Sequence, residues 1–346
     1  MRIIWLVNLL LITTLFFNGK ITAQDKAVKI GTIAFYNLEN LFDTIDSPDT
    51  FDEEYLPDGK NKWNTEKYNN KLEHMSKVIS MIGKDITKDA PAVIGVCEVE
   101  NRTVLEDLVK TDNLKKYNYE IVHYDSPDER GVDVGLLYQP KYFTPKYSHP
   151  IHVTLPDTSD RTRDILMVYG LFDNEPMYFF VNHWPSRRGG EKASAPGRDS
   201  AALTLRKVCD TILIKKPDAK IFIMGDLNDD PTNESLIEYL KASDDKKILD
   251  KNYFFNPMKT MHKKGIGTLA YRDNWNLFDQ IIMSPAVIND KTGYHYFKAG
   301  IFNKDFLFQS EGKFKGYPFR TQAGGVYLNG YSDHLPVYVY IIKELN

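Results

Sequence analysis

The chain has 346 residues, of which 42% are hydrophobic and 26% charged, and its formal net charge is −3 at pH 7. This composition supplies enough apolar side chains for a sizeable core and excludes a disordered or fibrous protein. A protein that holds nucleic acid through a broad basic face is usually basic overall, so the acidic balance confines any recognition of phosphate to a local site.

The first 23 residues have the layout of a secretory signal peptide. Arg2 supplies a positive start, a nearly continuous apolar run follows, and Ala23 offers a small residue at the cleavage point. The run is shorter than the roughly 20 residues of a membrane-spanning helix, which argues against a permanent anchor. We therefore expect residues 1–23 to be removed on export to the periplasm or the medium. Residues 24–346 would then form a mature chain without stable membrane association.

Short apolar runs between polar loops predict buried strands. In chain order these are Lys29–Tyr36, Ala92–Cys97, Tyr119–Tyr124, Val132–Tyr138, Ile165–Phe172, Met177–Val181, Ala219–Met224, Phe278–Met283 and Val337–Ile342. Apolar side chains at helical spacing predict helices at Thr65–Ile82 and Arg198–Lys215, with shorter ones at 103–110 and 233–242. Because no linker or repeat divides the chain, we expect one domain over residues 24–346. The pattern alone leaves α/β and α+β folds open.

Polar side chains follow several of these runs at the points where the runs end. Asn37, Glu98, His183 and Asp226 each come at or directly after the end of a predicted strand. Strand ends that share a sheet edge are rigid platforms, so such residues are candidates for one common site. Glu98 in particular ends a very apolar run, where its carboxylate needs a cation or a salt bridge. Glu100 competes with it for that role.

Two short motifs carry further acids. We expect Gly225 to let the backbone turn sharply and to present Asp226, while Asn228 adds an amide on the same side. An ordinary turn would explain the same residues, because Gly, Asp and Asn dominate turns. Near the last strand, Asp333 and His334 are adjacent and point apart when extended. The pair is therefore either a metal ligand beside a substrate-facing imidazole or a capped loop with a surface histidine.

Basic side chains mark two candidate phosphate contacts. His183 is followed by Arg187 and Arg188 before two glycines, and fork-shaped guanidinium groups suit a phosphate. A surface loop is the alternative, and we favour it for Arg188. Arg130 precedes another predicted strand and could reach an anionic group. Asp279, inside an apolar strand, is a candidate to orient and charge the imidazole of His334.

The donor set favours a hard cation. Most candidates offer oxygen, which favours Mg²⁺, Mn²⁺ or Ca²⁺ over zinc, and they are Asn37, Glu98, Asp226, Asn228 and Asp333. The sequence has neither the paired Cys and His spacing of a structural zinc site nor a nucleophile elbow, a P-loop or a GxGxxG motif. Cys97 and Cys209 are expected to be buried free thiols, although export would allow a disulfide.

The motifs follow one another in an order that resembles the endonuclease/exonuclease/phosphatase superfamily, whose relatives include pancreatic-type DNase I and exonuclease III. The resemblance extends from Ile30 to Ile342 and looks closest to the predicted extracellular nucleases of that group. It is carried by the segments Phe35–Asp43, Gly95–Asn101, Arg130–Gly135, Asn182–Arg187, Met224–Asp229, Phe278–Gln280 and Ser332–His334.

This resemblance implies an α/β fold, the DNase I-like four-layer α/β/β/α sandwich with two central mixed β-sheets. It implies that Asn37 and Glu98 hold a divalent metal, Mg²⁺ or Mn²⁺ with Ca²⁺ as an alternative, and that Asp333 lies nearby.

The resemblance also implies roles in catalysis. Asp226 and Asn228 match the pair that positions or activates the attacking water. His334 matches the imidazole that binds and protonates the phosphate region, with Asp279 as its orienting acid. His183 matches the second histidine of the DNase-like branch. Arg130 matches a phosphate-contacting position only loosely.

The resemblance leaves the substrate open. Export and the basic loop around Arg187 favour an endonuclease that acts on DNA or RNA, whereas the acidic net charge weakens that case. A phosphatase or phosphodiesterase acting on inositol phosphates or phospholipid headgroups is the main alternative, and a non-catalytic secreted binding module is a minor one. No obligate protein partner is inferred. The insert Thr44–Trp63 either shapes the substrate groove or is plain surface, and Lys291–Gln322 is a candidate substrate-facing flap.

Overall fold

The computed structural model describes residues 27–345, so the proposed signal peptide of residues 1–23 lies outside the described residues. The strands are β1 (Val28–Leu41), β2 (Val93–Val99), β3 (Glu120–His123), β4 (Asp133–Tyr138), β5 (Phe143–Ile151), β6 (Ile165–Phe172), β7 (Glu175–His183), β8 (Lys220–Asp226), β9 (Ala242–Ser243), β10 (Phe254–Phe255), β11 (Leu269–Tyr271), β12 (Asn274–Asn276), β13 (Asp279–Met283), β14 (His295–Ile301), β15 (Gln322–Ala323), β16 (Val326–Tyr327) and β17 (Val337–Glu344). The helices are α1 (Thr65–Met81), α2 (Lys84–Thr87), α3 (Arg102–Lys110), α4 (Glu191–Lys215), α5 (Met258–His262) and α6 (Pro285–Asn289).

Most strands belong to two large sheets. The first sheet has the order β14-β17-β1-β2-β4-β3, and the second has the order β5-β6-β7-β8-β13-β10-β9. Both are mixed, because β1 runs parallel to β2 but antiparallel to β17, and β8 runs parallel to β7 but antiparallel to β13. The pairs β11–β12 and β15–β16 form separate two-stranded hairpins.

Alternating side chains of β1 face two different layers. Ile33 and Phe35 lie in the core between the two sheets, whereas Ala34 and Tyr36 lie in a second core that α1 and α3 cover. Successive side chains of a strand point to opposite faces of its sheet, so a strand that is apolar on both faces must be covered on both. The first sheet therefore lies between the second sheet and a helical layer.

The second sheet is covered in the same way. On β8, Phe222 and Met224 face the other sheet, whereas Ile221 and Ile223 pack in a third core beneath α4. The layers thus run from helix to sheet to sheet to helix. This order confirms the predicted DNase I-like α/β sandwich.

Several predicted elements differ in extent from the observed ones. All nine predicted strands are present, but the long edge strands β5 and β14 and six short strands were not predicted. Helix α4 begins at Glu191 instead of Arg198, and the helix predicted at 233–242 is reduced to the single turn Ser235–Tyr239. Cys97 and Cys209 are both buried free thiols. Within residues 27–345 we find no helix of the length and apolarity that crossing a membrane requires.

Candidate active site

Strand register places three functional candidates side by side in the second sheet. Parallel pairing of β7 with β8 sets His183 opposite Asp226, and antiparallel pairing of β13 with β8 sets Asp279 opposite the same residue. Each lies at a strand end, so the three side chains share one end of the sandwich. The buried imidazole and the two buried carboxylates therefore meet without help from any flexible loop.

Asn37 connects this group to the first sheet. Its Nδ2 donates to Glu98 Oε1 and to Asp226 Oδ2, at 3.0 Å in each case. Its Oδ1 accepts a hydrogen bond from the Glu39 backbone N–H at 2.9 Å. Asn37 pairs with Cys97 across β1 and β2, and the register of the two strands shifts just beyond this pair. Carboxylates from both sheets thus converge on one amide.

Glu98 lies at this register shift in an unusual backbone conformation. Its φ is +57°, in the left-handed region that a non-glycine residue rarely adopts. Its Oε2 accepts a hydrogen bond from the Asn40 backbone N–H at 3.0 Å, which fixes the carboxylate. Strained backbone of this kind often occurs at functional sites, and here it turns the side chain towards the second sheet.

The Asp226 carboxylate is held between donors and acids. Asp226 Oδ1 accepts the Asn228 backbone N–H at 3.0 Å, and Asn228 Nδ2 donates to the Trp184 carbonyl at 2.9 Å. Burial is the largest influence and raises the pKa of Asp226 to about 7, with His334 opposing the shift and Asp279 adding to it. A carboxylate in this position accepts a proton more readily than an exposed one does.

Gly225 is needed for a reason other than the predicted sharp turn. Strand β8 continues through Gly225 to Asp226. A Cβ atom at Gly225 would lie 2.4 Å from the Asn182 carbonyl oxygen of the neighbouring strand. The glycine therefore permits close approach of β7 and β8 at the residue before Asp226.

The two histidines are in different electrostatic environments. His334 Nδ1 lies 2.7 Å from Asp279 Oδ2, and its Nε2 lies 3.8 Å from Asp226 Oδ2. Burial would lower the pKa of His334, but the charges of Asp279 and Asp226 outweigh it and raise that pKa well above its usual value. His183 behaves in the opposite way, because burial and then the positive charges of Arg163 and Arg130 hold its pKa well below the usual range. The surroundings therefore favour the protonated form of His334 and the neutral form of His183.

Arg163 fixes the position of His183 and was not recognised in the sequence. Its guanidinium donates to the carbonyls of His183 and Trp184, and it pairs with Asp128 at 3.0 Å. His183 Nε2 then lies 3.8 Å from both Glu98 Oε1 and Asp226 Oδ2. His183 Nδ1 is buried and has no hydrogen-bond partner in the described part of the chain. The two arginines of the Arg161-Thr162-Arg163 triplet before β6 were the sequence feature that could have indicated this role.

The site fits a divalent cation. Ligand atoms of Glu98, His183 and Asp226 lie within 4.8 Å of one another, and those of Asp226, Asp279 and His334 form an overlapping group. Negative charge is crowded here, since Glu98 and Asp279 both raise the pKa of Asp226. A bound cation would relieve this repulsion, and carboxylate oxygens are the donors that Mg²⁺ and Mn²⁺ prefer.

Asp333 lies beside this centre but is paired with a positively charged side chain, that of Arg320. Its Oδ2 accepts a hydrogen bond from Arg320 at 2.9 Å, and Arg320 Nε in turn donates to Glu39 Oε1 at 3.1 Å. Lys71 Nζ lies 3.8 Å from Glu39 Oε2. Burial raises the pKa of Glu39 to about 7 and lowers that of Lys71 to about 8. Glu39, Lys71 and Arg320 were not predicted as members of the site.

The two predicted phosphate-contacting arginines lie in different surroundings. Arg130 is half-exposed and lines a cleft of about 530 Å³ that borders Pro185 and Ser186, next to His183. The insert Thr44–Trp63 supports this cleft, because the Phe51 backbone N–H donates to the Glu129 carbonyl at 2.8 Å.

Arg187 is surrounded by acidic side chains. Its guanidinium contacts Asp229 at 3.1 Å, Asp230 at 3.4 Å and Glu191 at 3.1 Å. Its Nε donates to the Asn228 carbonyl, and the group stacks over the Phe278 ring. These contacts occupy its donors and hold the Asn228 loop, and a contact of Arg187 with a substrate phosphate stays a prediction.

A helix–sheet–sheet–helix sandwich with acids and imidazoles at one end of both sheets defines the DNase I-like class of proteins. A family model described as "Endonuclease/Exonuclease/phosphatase family" matches residues 32–343, and the chain belongs to this family. It is accordingly a metal-dependent phosphoric ester hydrolase. No curated protein matches the sequence.

Solved structures share the fold at low sequence identity. An endonuclease/exonuclease/phosphatase family protein from Bacteroides thetaiotaomicron is 15% identical with a TM-score of 0.55, covering 92% of this chain and 100% of its own. A mannosyl-6-phosphatase from the same organism is 15% identical with a TM-score of 0.53, covering 90% and 99%. TDP2 of D. rerio, complexed with a single-strand DNA product, is 14% identical with a TM-score of 0.53, covering 90% and 98%. At these identities the comparison shows the fold alone.

Proposed function

We propose that this chain is an exported phosphodiesterase that uses Mg²⁺ or Mn²⁺ to cut phosphodiester bonds of DNA or RNA. One observation supports this most strongly: Asn37 bonds both Glu98 of the first sheet and Asp226 of the second, and His334, in the loop before β17, lies 3.8 Å from Asp226 in the same buried acidic centre. Acids and an imidazolium in contact are the groups that phosphodiester hydrolysis needs, because a nucleophile must be activated and an anionic phosphate must be neutralised.

Asp226 acts as the proton acceptor for the attacking water in this proposal. Its Oδ1 is fixed by Asn228, which leaves the Oδ2 side facing Asn37 and His334. Water activated there attacks phosphorus in line with the leaving oxygen. Asn228 keeps the carboxylate in place, and it also donates to the Trp184 carbonyl beside His183.

His334 and His183 act on the phosphate from two directions. His334, held by Asp279, donates a hydrogen bond from Nε2 to a phosphoryl or leaving-group oxygen. Neutral His183 presents Nε2 beside Glu98 and Asp226 and contacts a non-bridging oxygen or the attacking water. Glu98 and Asn37, with Asp333 nearby, would hold a divalent cation, which would further stabilise the charge that develops on the phosphate.

Two observations bear on the substrate. TDP2 of D. rerio shares the fold and was solved with a single-strand DNA product, and the cleft next to His183 carries the arginines Arg130, Arg161 and Arg188. Small phosphoesters are the second candidate, because the net charge is −3 and a mannosyl-6-phosphatase also shares the fold. Inositol phosphates and phospholipid headgroups belong to this second class.

Export is part of the proposal and depends on residues 1–23. We expect the mature protein to begin at Gln24 and to appear in the periplasmic or extracellular fraction. N-terminal sequencing of the protein purified from each fraction tests this. A mature chain that retained Met1 in the cytoplasmic fraction would contradict it.

Asp226→Ala tests the chemical mechanism. We expect a folded protein whose cleavage of plasmid and oligonucleotide substrates falls by about 10²–10⁴-fold, because the proton acceptor is lost. Assays with Mg²⁺ or Mn²⁺, with and without EDTA, measure this. Asp107→Ala is the control, since Asp107 also accepts a hydrogen bond but lies on α3. Full activity in Asp226→Ala would refute this role of Asp226.

A parallel screen of inositol phosphates and sphingomyelin separates the two substrate classes.

A further inference from the structure

A second cleft opens next to the catalytic centre on the side of Asp333. It has a volume of about 700 Å³ and is lined by the β11–β12 hairpin and by residues 309–324, with Arg320 and Asp333 at its inner end. The hairpin is bonded to the loop that carries His334: Leu269 forms a β-bridge with His334, and the Leu335 N–H donates to the Thr268 carbonyl at 2.9 Å. The cleft and the loop that carries His334 therefore share the β11–β12 hairpin, and Asp333, the neighbour of His334 in the chain, lines the cleft.

The outer wall of the cleft is made of aromatic rings that the fold leaves in solvent. Tyr271 is 61% exposed and Phe314 is 42% exposed. Tyr317 packs on Phe314 with ring centroids 5.6 Å apart, and its hydroxyl bonds Asp273 at the hairpin tip. This hydrogen bond links the β11–β12 hairpin to the segment that carries Phe314 and Tyr317. Exposed rings fixed at the rim of a cleft are typical of a surface that binds flat apolar groups.

Each exposed ring carries a cation above it. The Arg272 guanidinium lies 5.2 Å from the centre of the Tyr271 ring, and Lys313 Nζ lies 5.5 Å from the centre of the Phe314 ring. Within residues 27–345 neither cation forms an ion pair with an acid, in contrast to Arg320. The cleft therefore combines apolar faces with unneutralised positive charge, although the whole chain is acidic.

We propose that this cleft binds a single-stranded segment of nucleic acid next to the scissile phosphate. Nucleobases stack on Tyr271 and Phe314, and the phosphates between them contact Arg272 and Lys313. Every base has an apolar face, so such stacking tolerates different sequences. Bases in a duplex are stacked on one another and cannot enter, so the proposal selects single strands. It rests on the proposed nuclease function and names the form of its substrate.

Binding measured with and without bases tests the stacking directly. In the Asp226→Ala background with Mg²⁺, we compare a fluorescein-labelled single-stranded oligodeoxynucleotide with an abasic strand of equal length, using fluorescence anisotropy. The intact strand should bind about tenfold or more tightly than the abasic strand. Adding Tyr271→Ala and Phe314→Ala should remove that difference, and adding Tyr271→Phe should keep it. Equal affinity of the two strands for the parent protein would overturn the proposal.

Tyr147→Ala is the matched control, because Tyr147 is 54% exposed on β5, an edge strand, and lines neither cleft. It should leave both affinities unchanged. In the otherwise wild-type enzyme, removing the two rings should reduce kcat/KM for a single-stranded oligonucleotide and leave that for the abasic strand of equal length unchanged. Equal losses on both substrates would instead indicate a structural role and contradict the proposal.

These assays separate the inference from the proposed function. An enzyme that cuts duplex plasmid but binds single strands without regard to bases would be a nuclease lacking this subsite. A protein that binds single strands through Tyr271 and Phe314 but cuts no nucleic acid would keep the subsite and lose the proposed activity.

Discussion

The arginines around the site show that a side chain's neighbours, and not its type, decide what it can bind. Arg187 is surrounded by acids, namely Asp229, Asp230 and Glu191, and stacks on an aromatic ring. Arg130 pairs with Asp128 at 3.5 Å and remains half-exposed in a cleft. A guanidinium whose donors are already occupied contributes to the structure, whereas an exposed one can exchange water for phosphate.

Arg187→Ala and Arg130→Ala should therefore have opposite effects. Arg187→Ala removes one cation from Asp229 and Asp230, which keep Arg198 and the Leu277 N–H as partners, so we expect the free energy of unfolding to fall by about 1–2 kcal/mol while KM changes little. Arg130→Ala should leave stability unchanged and raise KM for oligonucleotides about tenfold. Denaturant unfolding and steady-state kinetics on both variants measure this. A raised KM with unchanged stability in Arg187→Ala would instead support the prediction that Arg187 contacts a substrate phosphate.

At the level of elements, strand ends on the two central sheets were readable from the sequence, whereas the long edge strands β5 and β14 were not. Strands β7, β8 and β13 are buried on both faces, so each gives an apolar run whose final polar residue stands out. Strands β5 and β14 lie at the edges of the sheets and have few buried side chains. Pro145 and Pro150 further disguise β5, since proline is tolerated only at such edges.

Apolar spacing predicted that helix α4 begins at Arg198, just after Pro196 and Gly197, two residues of types that normally interrupt a helix. It begins at Glu191 and continues through both residues. A Cβ atom at Gly197 would lie 3.3 Å from the Pro185 ring, so the glycine lets the helix pack closely against the loop after His183. Tertiary packing overrides local preference here, which sequence alone does not reveal.

The charged network behind Asp333 was missed for a similar reason. Lys71 looks like a surface residue of an amphipathic helix, yet it is buried and bonds the Tyr331 carbonyl at 2.7 Å. Arg320 belongs to a basic stretch without regular spacing, and its partner Glu39 is 281 residues away in the chain. Only the fold brings these groups together, so no local pattern could predict them.

The ends of the central strands away from the site carry a network of paired charges. Glu175 at the start of β7 accepts hydrogen bonds from Lys220 and Lys343, both at 2.7 Å. Asp290 also pairs with Lys220, at 2.8 Å. Burial would raise the pKa of Glu175, but these lysines outweigh burial and lower it. The pKa of Asp290 is lowered well below its usual value, because the bonds from Lys220 and nearby N–H groups outweigh burial.

This network predicts a loss of stability in acid. A carboxyl group with a lowered pKa stabilises the folded state above its unfolded pKa, which is 4.5 for Glu and 3.8 for Asp, and the stabilisation is lost as the pH falls through the folded pKa. Glu175→Gln should therefore lower the free energy of unfolding near neutral pH by about 1–2 kcal/mol, and the Tm should fall with it. The difference from wild type should shrink below about pH 4. Thermal melts across this range measure it.

Glu54→Gln is the control for this experiment, because Glu54 pairs with Lys60 on the exposed surface. Surface pairs contribute little, so its melting curves should follow those of the wild type. If Glu175→Gln kept a constant difference from wild type at every pH, ionisation of Glu175 would not be the source of its contribution.

At the scale of the whole molecule, the sandwich that buries the core also brings like charges together. They lie at the end opposite the charge network of Glu175. Glu98, Asp226 and Asp279 arrive on strands of two sheets, and burial with mutual repulsion raises the pKa of Asp226 to about 7. Without a cation this crowding destabilises the folded state. Metal binding and folding are therefore coupled, because a ligand that binds only the folded form stabilises it.

Thermal melts with and without Mg²⁺ or Mn²⁺ test this coupling. Metal at a hundred times its Kd should stabilise the wild type by about 2.7 kcal/mol, and EDTA should reverse the rise in Tm. Glu98→Gln keeps the shape of the side chain but removes one charge from the crowded centre. We expect its metal-free Tm to equal or exceed that of the wild type and its response to metal to disappear. Glu54→Gln should keep the full response, and a metal-induced rise of wild-type size in Glu98→Gln would place the cation elsewhere in the molecule.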